Sequence, residues 1–254
     1  MSKSPTAAVL LIGNEVLSGR TKDKNLGYLA DYVAALGIDL MEARVVADDE
    51  ADIVAAVNAL RSRYTYVFTT GGIGPTHDDI TADCIAKAFG VGISHHREAL
   101  AILQAFYAET GREMNEARMR MARIPEGATL IENLISKAPG FRIENVIVMA
   151  GVPKIMQAMM DKVAPTLSKG ALVQTRTVIF EGGEGDVAKP LKEIQEQYSD
   201  VTIGSYPFES PQGYCTNLVL RSRNEAALEK ATREVSRAAA QLMAEGKARG
   251  WSLA

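Results

Sequence analysis

A glycine-rich stretch with two adjacent carboxylates is the part of this sequence best suited to chemistry. It spans residues 69–81 and reads TTGGIGPTHDDIT. Glycines at positions 71, 72 and 74 allow backbone conformations that are closed to residues with a Cβ, and they let N–H groups approach a ligand closely. An apolar run precedes the stretch and a helical pattern follows it, so the positive end of a helix dipole adds to these N–H groups. The combination predicts a site for phosphate or another anion.

Asp78 and Asp79 stand at the entrance to that helix and would repel a bare phosphate. A divalent cation between the carboxylates and the ligand removes this conflict, so the sequence predicts a metal of the Mg, Mn or Co class. Two structural explanations remain open. Aspartate is a favoured N-cap residue, and a glycine-rich turn that matches neither G-x-G-x-x-G nor a Walker A loop is often only a turn.

Two further acidic positions follow predicted strands. Residues 13–25 form a long polar loop after the apolar run Ala7–Ile12, and Asp48 follows a strand predicted over Ile38–Val46. In open α/β sheets, ligands bind at the carboxyl ends of the strands. Glu15 and Asp48 are therefore candidates for a metal ligand or a general base. The alternatives are a hydrogen bond within the loop for Glu15 and complementation of a helix dipole for Asp48.

The elements that must position these residues alternate as strand and helix up to about residue 90, which predicts a parallel sheet with right-handed crossovers. A helix is predicted over Asn115–Arg123, followed by short strands and a helix over Lys154–Leu167. The pattern then becomes β-rich. We therefore predict a doubly wound, mostly parallel α/β domain over residues 1–168 and a smaller α+β domain over residues 169–254.

Composition excludes several classes of protein. The chain has 254 residues, 47% of them hydrophobic, with 28 basic and 31 acidic side chains and a net charge of -3. The absence of a basic excess predicts no nucleic-acid partner, and no apolar run is long enough to span a membrane. Cys84 and Cys215 are far apart and form neither a disulfide framework nor a zinc pattern. We expect reduced thiols and a cytoplasmic location.

Five stretches together resemble the N-terminal region of the CinA family (competence/damage-inducible protein A), whose core is the molybdopterin-binding domain shared with MogA, MoaB, MoeA and gephyrin. The stretches are Ile12–Gly19 with Asn25 at the family spacing, Thr70–Thr81, Asn115 through Ile124–Ala128 to Asn133 and Ala138–Phe141, Gly151–Pro153, and Ile203–Phe208. The resemblance covers the chain from about Ala7 to Arg221. It implies a doubly wound α/β domain followed by a small α/β domain.

The resemblance also implies chemistry, because members of this family hydrolyse ADP-ribose and related dinucleotides in the presence of a metal. A similar domain fused to eukaryotic FAD synthetase hydrolyses FAD, and the molybdenum-cofactor relatives adenylate molybdopterin or insert molybdate. Our leading hypothesis is a metal-dependent ADP-ribose pyrophosphatase. The alternatives are a molybdopterin-binding protein without catalysis and a molybdopterin adenylyltransferase. The expected partner is a nucleotide-like or pterin small molecule, and related domains suggest a homo-oligomer.

Residue roles follow from the same resemblance. The N–H groups of the three glycines would hold a phosphate, helped by neighbouring polar side chains, whereas the acidic residues would serve the metal or act as general base. The phosphate and ligand set is Gly71, Gly72, Gly74, Thr70, Ser18, Asn25 and Lys137; the catalytic set is Asp79, Asp78, Asp48 and Glu15; and the metal set is Asp79, Asp78 and Glu15.

The sequence departs from the family pattern at three places. Ala150 stands where proline is frequent, and Ser136 and Lys137 stand where Gly-Thr is common. Lys137 either reaches a phosphate or alters the pocket. The chain also ends before the C-terminal nicotinamide mononucleotide deamidase domain of full-length CinA, so we expect no deamidation.

Overall fold

The computed structural model describes residues 4–254 and divides the chain into two compact units, the first ending at Gly170 and the second beginning at Ala171. The boundary therefore lies two residues beyond the predicted one. Gly170 belongs to the first unit because its N–H donates a hydrogen bond of 3.0 Å to the carbonyl of Leu36. A Cβ on Gly170 would lie 2.3 Å from the carbonyl oxygen of Gly37, so the chain packs closely there.

Up to about residue 90 the first unit alternates strands and helical segments as its sequence predicts, and after two further helices four short strands follow one another. Its strands are β1 (Thr6–Ile12), β2 (Asp39–Val46), β3 (Tyr66–Thr70), β4 (Ile93–His95), β5 (Arg123–Pro125), β6 (Thr129–Ile131), β7 (Gly140–Ile143) and β8 (Val146–Met149). Its helices are α1 (Asn14–Leu17), α2 (Asn25–Ala35), α3 (Glu50–Arg61), α4 (Thr81–Phe89), α5 (Arg97–Glu109), α6 (Glu116–Arg120) and α7 (Pro153–Val163), the last followed by a 3-10 turn, Ala164–Thr166.

Six of these strands form one sheet in the order β2-β1-β3-β8-β7-β6. Strands β2, β1, β3 and β8 run parallel, whereas β7 pairs antiparallel with β8 and β6 pairs antiparallel with β7. Leu11 pairs with Thr70, and Thr70 pairs with Met149, so the carboxyl ends of β1, β3 and β8 lie side by side. The predicted α/β sheet of mostly parallel strands is confirmed.

Helices cover both faces of this sheet, which makes three layers. On one face, α3, α4 and α5 bury residues such as Val57, Ile85 and Leu103 against alternate side chains of β1 and β8. On the other face, α2 and α7 bury leucine, valine and methionine side chains against the remaining strand residues. The central strands are apolar on both sides for this reason, as expected of parallel strands between two helix layers.

The helix predicted over Asn115–Arg123 is shorter in the structure. It begins after Asn115, whose side chain accepts a hydrogen bond of 3.0 Å from the N–H of Arg118, and it ends at Arg120. Residues from Arg123 instead form β5, which pairs with β4. Pro125 contributes to the extended backbone of β5, since it pushes the residue before it, Ile124, out of the helical region.

The second unit is a small α+β domain, as predicted. It contains β9 (Gln174–Phe180), α8 (Glu184–Gln197), β10 (Thr202–Ser210), β11 (Gly213–Ser222), α9 (Glu225–Ala244) and β12 (Trp251–Leu253). The strands form an antiparallel sheet in the order β10-β11-β9-β12. Val187 of α8 and Val235 of α9 pack against Phe180 and Leu218 of the sheet. Between residues 4 and 254, no helix has the length and apolarity needed to cross a membrane.

Candidate functional site

The glycine turn between β3 and α4 accepts glycine alone at two positions. Gly71 has a φ of 105°, and a Cβ there would lie 2.1 Å from the carbonyl oxygen of Ile12. Gly72 has a φ of 65°, and its Cβ would lie 2.1 Å from Oγ1 of Thr81. Thr81 is buried, and its hydroxyl and N–H donate hydrogen bonds of 3.0 Å to the carbonyls of Gly71 and Gly72 respectively. The first residue of α4 therefore holds the turn in place.

The glycine N–H groups of the turn differ in whether they already donate a hydrogen bond within the protein. Gly71 donates its N–H to the carbonyl of Met149 at 3.2 Å and so continues the pairing of β3 with β8. This corrects the prediction that the Gly71 N–H contacts a phosphate. The N–H groups of Gly72 and Gly74 make no hydrogen bond within the described part of the chain, and α4 has no side-chain cap there. These two N–H groups point to the anion chemistry predicted for the turn.

The side chain of Asp79 is used within its own loop. Its Oδ2 accepts hydrogen bonds from the N–H of Thr76 at 2.8 Å and from Oγ1 of Thr76 at 2.5 Å. A Cβ on Gly74 would lie 2.6 Å from the same oxygen, so the loop folds tightly around this carboxylate. The Asp78 side chain is 60% exposed. The nearby Thr76 side chain and the backbone N–H of Asp78, together with His77, hold the pKa of Asp78 below its usual value.

Asp48 and Glu15 also have local structural partners. Oδ2 of Asp48 accepts a hydrogen bond of 2.8 Å from the N–H of Asn14, which ties the end of β2 to the start of α1. The Glu15 carboxylate folds back over Gly13, where a Cβ would lie 2.6 Å from Oε2. Ser18 is exposed and donates its hydroxyl to the carbonyl of Glu15 at 3.3 Å. Each of these side chains therefore shapes the loop after β1.

The predicted metal ligands do not come together into a ready site. Among residues 4–254, no three His, Cys, Asp or Glu side chains are grouped closely enough to hold a metal ion. Asp79 already accepts two hydrogen bonds from Thr76, and Glu15 lies against Gly13. The residues present therefore do not fit a cation held by the protein alone, and the divalent metal stays a prediction.

Asn25 is a predicted ligand residue that lies deeply buried at the carboxyl ends of the strands, with only 4% of its surface exposed. Its Nδ2 donates to the carbonyl of Gly151 at 2.8 Å and contacts Oγ1 of Thr70, which is also buried, at 3.4 Å. Its Oδ1 is buried without a hydrogen-bond partner among the described residues. A buried acceptor without a donor costs free energy, so this oxygen calls for an explanation.

A second helix begins beside the glycine turn. Gly151 lies so close to Gly71 that a Cβ on it would be 3.2 Å from the Gly71 Cα. Two residues later α7 starts at Pro153, and no side chain of the described residues caps it. Two helix N-termini without side-chain caps, those of α4 and α7, thus follow the neighbouring strands β3 and β8. The site is the edge of the sheet at Thr70, Gly72 and Gly151.

The structure adds residues that the sequence interpretation missed. Arg120 donates from Nη2 at 3.1 Å and from Nε at 3.3 Å to the carbonyl of Asp79, while Asp83 pairs with Arg120 at 3.5 Å and with Arg123 at 2.5 Å. They line a cavity of about 20 Å³, the size of one water molecule, together with Gly72 and Gly74. No local pattern distinguishes these arginines, because the contact to the loop spans 41 residues.

Lys137 lies elsewhere than its predicted role suggests. It does not line the small cavity at the glycine turn but a larger one, of about 490 Å³, beside α5. Its backbone has a φ of 64°. Pro139 borders both cavities.

Comparison with known families agrees with this division of the chain. Residues 8–169 match the family model described as a probable molybdopterin binding domain. Residues 172–245 match the model described as the FAD synthase middle domain. The two matches meet within two residues of the boundary between the structural units. The fold and the site thus define the class, an α/β molybdopterin-binding-type domain followed by a small α+β domain.

Similarity to individual proteins shows the family to which this chain belongs. A protein of Aeropyrum pernix is 33% identical over 247 residues, which cover 94% of this chain and 92% of that protein. A protein described as competence-damage inducible from Clostridium beijerinckii is 36% identical over 79% of this chain, but the match covers only 51% of that relative. The crystal structure of CinA, a protein of unknown function from Thermoplasma acidophilum, superposes with a TM-score of 0.60 and 31% identity over 64% of this chain and 98% of that chain. The chain belongs to the CinA-like family of proteins with a molybdopterin-binding domain.

Proposed function

We propose that the first unit binds a nucleotide-like or pterin small molecule and holds its phosphate at the glycine turn. The observation that carries this proposal is the pair of N–H groups at Gly72 and Gly74, which have no partner among the described residues and lie beside the uncapped starts of α4 and α7. Helix N-termini and glycine N–H groups attract anions. The buried Oδ1 of Asn25 adds an acceptor for a hydroxyl or amino group of the ligand once binding opens access to it.

Inorganic pyrophosphate is the probe for this anion site because it carries no ring or sugar. We expect it to raise the melting temperature of the full chain in proportion to the logarithm of its concentration. Asn25→Ala should weaken this effect, since it releases Gly151 at the edge of the site. Asn58→Ala, at an exposed position of α3, is the matched control. If pyrophosphate leaves the melting temperature of the wild-type chain unchanged, the proposed anion site is wrong.

The reaction proposed for this site is hydrolysis of the phosphoanhydride bond of ADP-ribose, which consumes one water and releases AMP and ribose 5-phosphate. Asp78 favours it, because its carboxylate is exposed and its pKa lies below the usual value, so it is ionised at neutral pH. Magnesium is often held by one or two carboxylates together with substrate phosphates, and such a site needs no preformed cluster. Bound there, a divalent cation would supply polarisation of a phosphoryl oxygen and a more acidic water.

Release of AMP from ADP-ribose, with and without Mg²⁺, tests the reaction. We expect metal-dependent turnover that Asp78→Asn reduces by at least tenfold. Asp79→Asn separates structure from chemistry: an amide oxygen still accepts hydrogen bonds from Thr76, so loss of turnover with an unchanged melting temperature would assign Asp79 to the reaction. A chain that binds pyrophosphate but releases no AMP would be a binding protein. AMP transfer from ATP only in the presence of molybdopterin would instead identify an adenylyltransferase.

A further inference from the structure

A groove runs along α5 next to the loop between β6 and β7. It encloses about 490 Å³, which is within the range of small-molecule sites in proteins. We call it the α5 groove. Its apolar lining consists of Ile102, Ala105, Phe106, Leu130 and Pro139. Its polar lining includes Glu98, Glu109 and Lys137.

The loop beside the groove is built to hold one lysine in an unfavourable conformation. Lys137 has a φ of 64°, in the left-handed region that residues with a Cβ avoid. In the described chain only Glu144 shares this property without being glycine, and Glu144 lies in the tight turn between β7 and β8, where left-handed residues are usual. Lys137 follows the turn formed by Leu134–Ser136, and a residue with a Cβ stays in this region only where the surrounding structure holds it there.

Asn133 supplies the contacts that keep the loop in this shape. It is 3% exposed, and its Nδ2 donates to Oγ of Ser136 at 2.6 Å and to the carbonyl of Ala138 at 2.8 Å. Its Oδ1 accepts from the N–H groups of Ile135 at 3.0 Å and Ser136 at 3.2 Å. All four interactions surround Lys137, so the loop fixes the point from which its side chain leaves the backbone.

The charges of the groove select against an anion. Glu98 and Glu109 lie three helical turns apart on α5, about 16 Å at 1.5 Å per residue. Glu132 also lines the groove, but it pairs with Lys162 at 2.6 Å. The two α5 carboxylates accept hydrogen bonds, Lys137 donates them, and the half-buried ring of Phe106 offers a stacking surface. These groups match a flat ring system with amino groups on its edge.

We propose that the α5 groove binds the bicyclic nitrogen heterocycle of the ligand, a purine or a pterin with an amino-bearing edge. The ring lies along α5 near Phe106, its amino groups face Glu98 or Glu109, and Lys137 donates to a ring nitrogen or carbonyl. The inference rests on the proposed function in one respect: the ring is taken to belong to the ligand whose phosphate the glycine turn holds, and Pro139, which lines both this groove and the small cavity at that turn, places the two next to each other.

Binding of two phosphate-free probes, adenosine and neopterin, tests the groove in the full chain. Ala105→Trp fills it from an exposed position of α5, and Ala108→Trp is the matched control, exposed on the same helix and outside the groove lining. We expect calorimetry to detect binding of at least one probe, a loss of at least tenfold in Ala105→Trp, and wild-type affinity in Ala108→Trp. Lys137→Gly, which also removes the backbone strain, should weaken binding while raising the melting temperature.

Inorganic pyrophosphate separates this inference from the proposed function. If Ala105→Trp still binds pyrophosphate like the wild type but no longer binds the probes, the result supports both the anion site and the α5 groove. Probe binding without pyrophosphate binding supports the groove and overturns the anion site. If neither probe binds, or if Ala105→Trp binds them like the wild type, the groove proposal is wrong. A wild-type dimer that binds no probe and that Ala105→Trp converts to a monomer would show that a second copy of the chain covers the groove.

Discussion

The Nδ2 atom of Asn25 donates a hydrogen bond of 2.8 Å to the carbonyl oxygen of Gly151, across 126 residues of sequence. The bond joins the first residue of α2 to the loop that begins α7, so two connections at the carboxyl edge of the sheet are held in fixed positions. Because Nδ2 serves Gly151, Oδ1 is left facing the interior without a donor from the described residues. The orientation that secures the loop therefore leaves one buried acceptor unsatisfied.

Removal of this amide should destabilise the first unit. Asn25→Ala leaves the Gly151 carbonyl without its donor, and we expect a loss of about 1 to 3 kcal/mol in the free energy of unfolding by urea. Asn58→Ala on the surface of α3 removes only an exposed hydrogen bond from Arg61 and should change this free energy by less than about 0.5 kcal/mol. Equal stabilities of the two variants would contradict the role assigned to the Asn25–Gly151 bond.

Gly90 and Gly72 have nearly the same φ but different surroundings, so alanine substitutions at the two positions distinguish the cost of backbone strain from the cost of a steric clash. Gly90, at the end of α4, has a φ of 66° and open space around it, whereas Gly72 has a φ of 65° and a Cβ on it would lie 2.1 Å from Thr81 Oγ1. Gly90→Ala should cost about 1 to 2 kcal/mol, the strain of a left-handed alanine. Gly72→Ala should cost clearly more in the same urea titration. A smaller loss at Gly72 would mean that Thr81 moves aside without penalty.

Asp48 should behave as an acceptor for a backbone group. Asp48→Asn keeps an oxygen for the N–H of Asn14, so we expect a change in unfolding free energy below about 1 kcal/mol, whereas Asp48→Ala should cost about 1 to 3 kcal/mol. AMP release from ADP-ribose distinguishes a catalytic role of Asp48 from a purely structural one. If Asp48→Asn abolishes turnover while stability is kept, Asp48 acts in the reaction; if turnover survives, its role is to position α1.

Burial of Cys84 predicts a loss of stability at alkaline pH. Desolvation, with Glu50 and Asp83 nearby, raises the pKa of the thiol to about 11 from its ordinary value of 9.0. Above pH 9 the thiol of the unfolded chain ionises, whereas the buried thiol of the folded chain stays protonated up to about pH 11. The contribution of the protonated thiol to stability is therefore complete below pH 9 and is lost as the pH rises towards 11. The slope from one such group is at most about 1.4 kcal/mol per pH unit.

Urea titrations between about pH 8 and pH 11 on the wild type and Cys84→Ala measure this contribution. The stability of the wild type should fall more steeply than that of the variant above pH 9. The thiol should also react slowly with disulfide reagents at about pH 8 until the protein unfolds, since it is 1% exposed. Parallel pH profiles of the two proteins would rule out Cys84 as a source of the alkaline loss.

The sequence predicted the fold well because its signals are local. Continuous apolar runs marked β1 and β3, and helical spacing with a closing Gly37 marked α2. The short strands β4 and β12 were missed because three residues carry too little periodicity. The helix predicted up to Arg123 ends at Arg120, because residues 123–125 pair with β4, a tertiary contact that helical spacing does not reveal.

The site was predicted less completely, for a physical reason. The glycines and acids near the turn were visible in the sequence, but the partner of each was not. Thr76 engages Asp79, Met149 engages the Gly71 N–H, and Arg120 holds the Asp79 carbonyl. The contacts to Met149 and Arg120 depend on tertiary packing, which residue spacing along one element does not reveal.

The pairing of β8 with β3 affects the order in which the chain can fold during its synthesis. Strand β8 pairs with β3, although all residues from Gly71 to Asn145 are synthesised between them. While the ribosome adds that segment, β3 has an unpaired edge on the side that β8 will occupy, and closing so long a loop costs conformational entropy. The proposed anion site includes contacts of Met149 and Gly151, so it can form only after most of the first unit has emerged. A nascent chain would acquire ligand affinity at that point in translation.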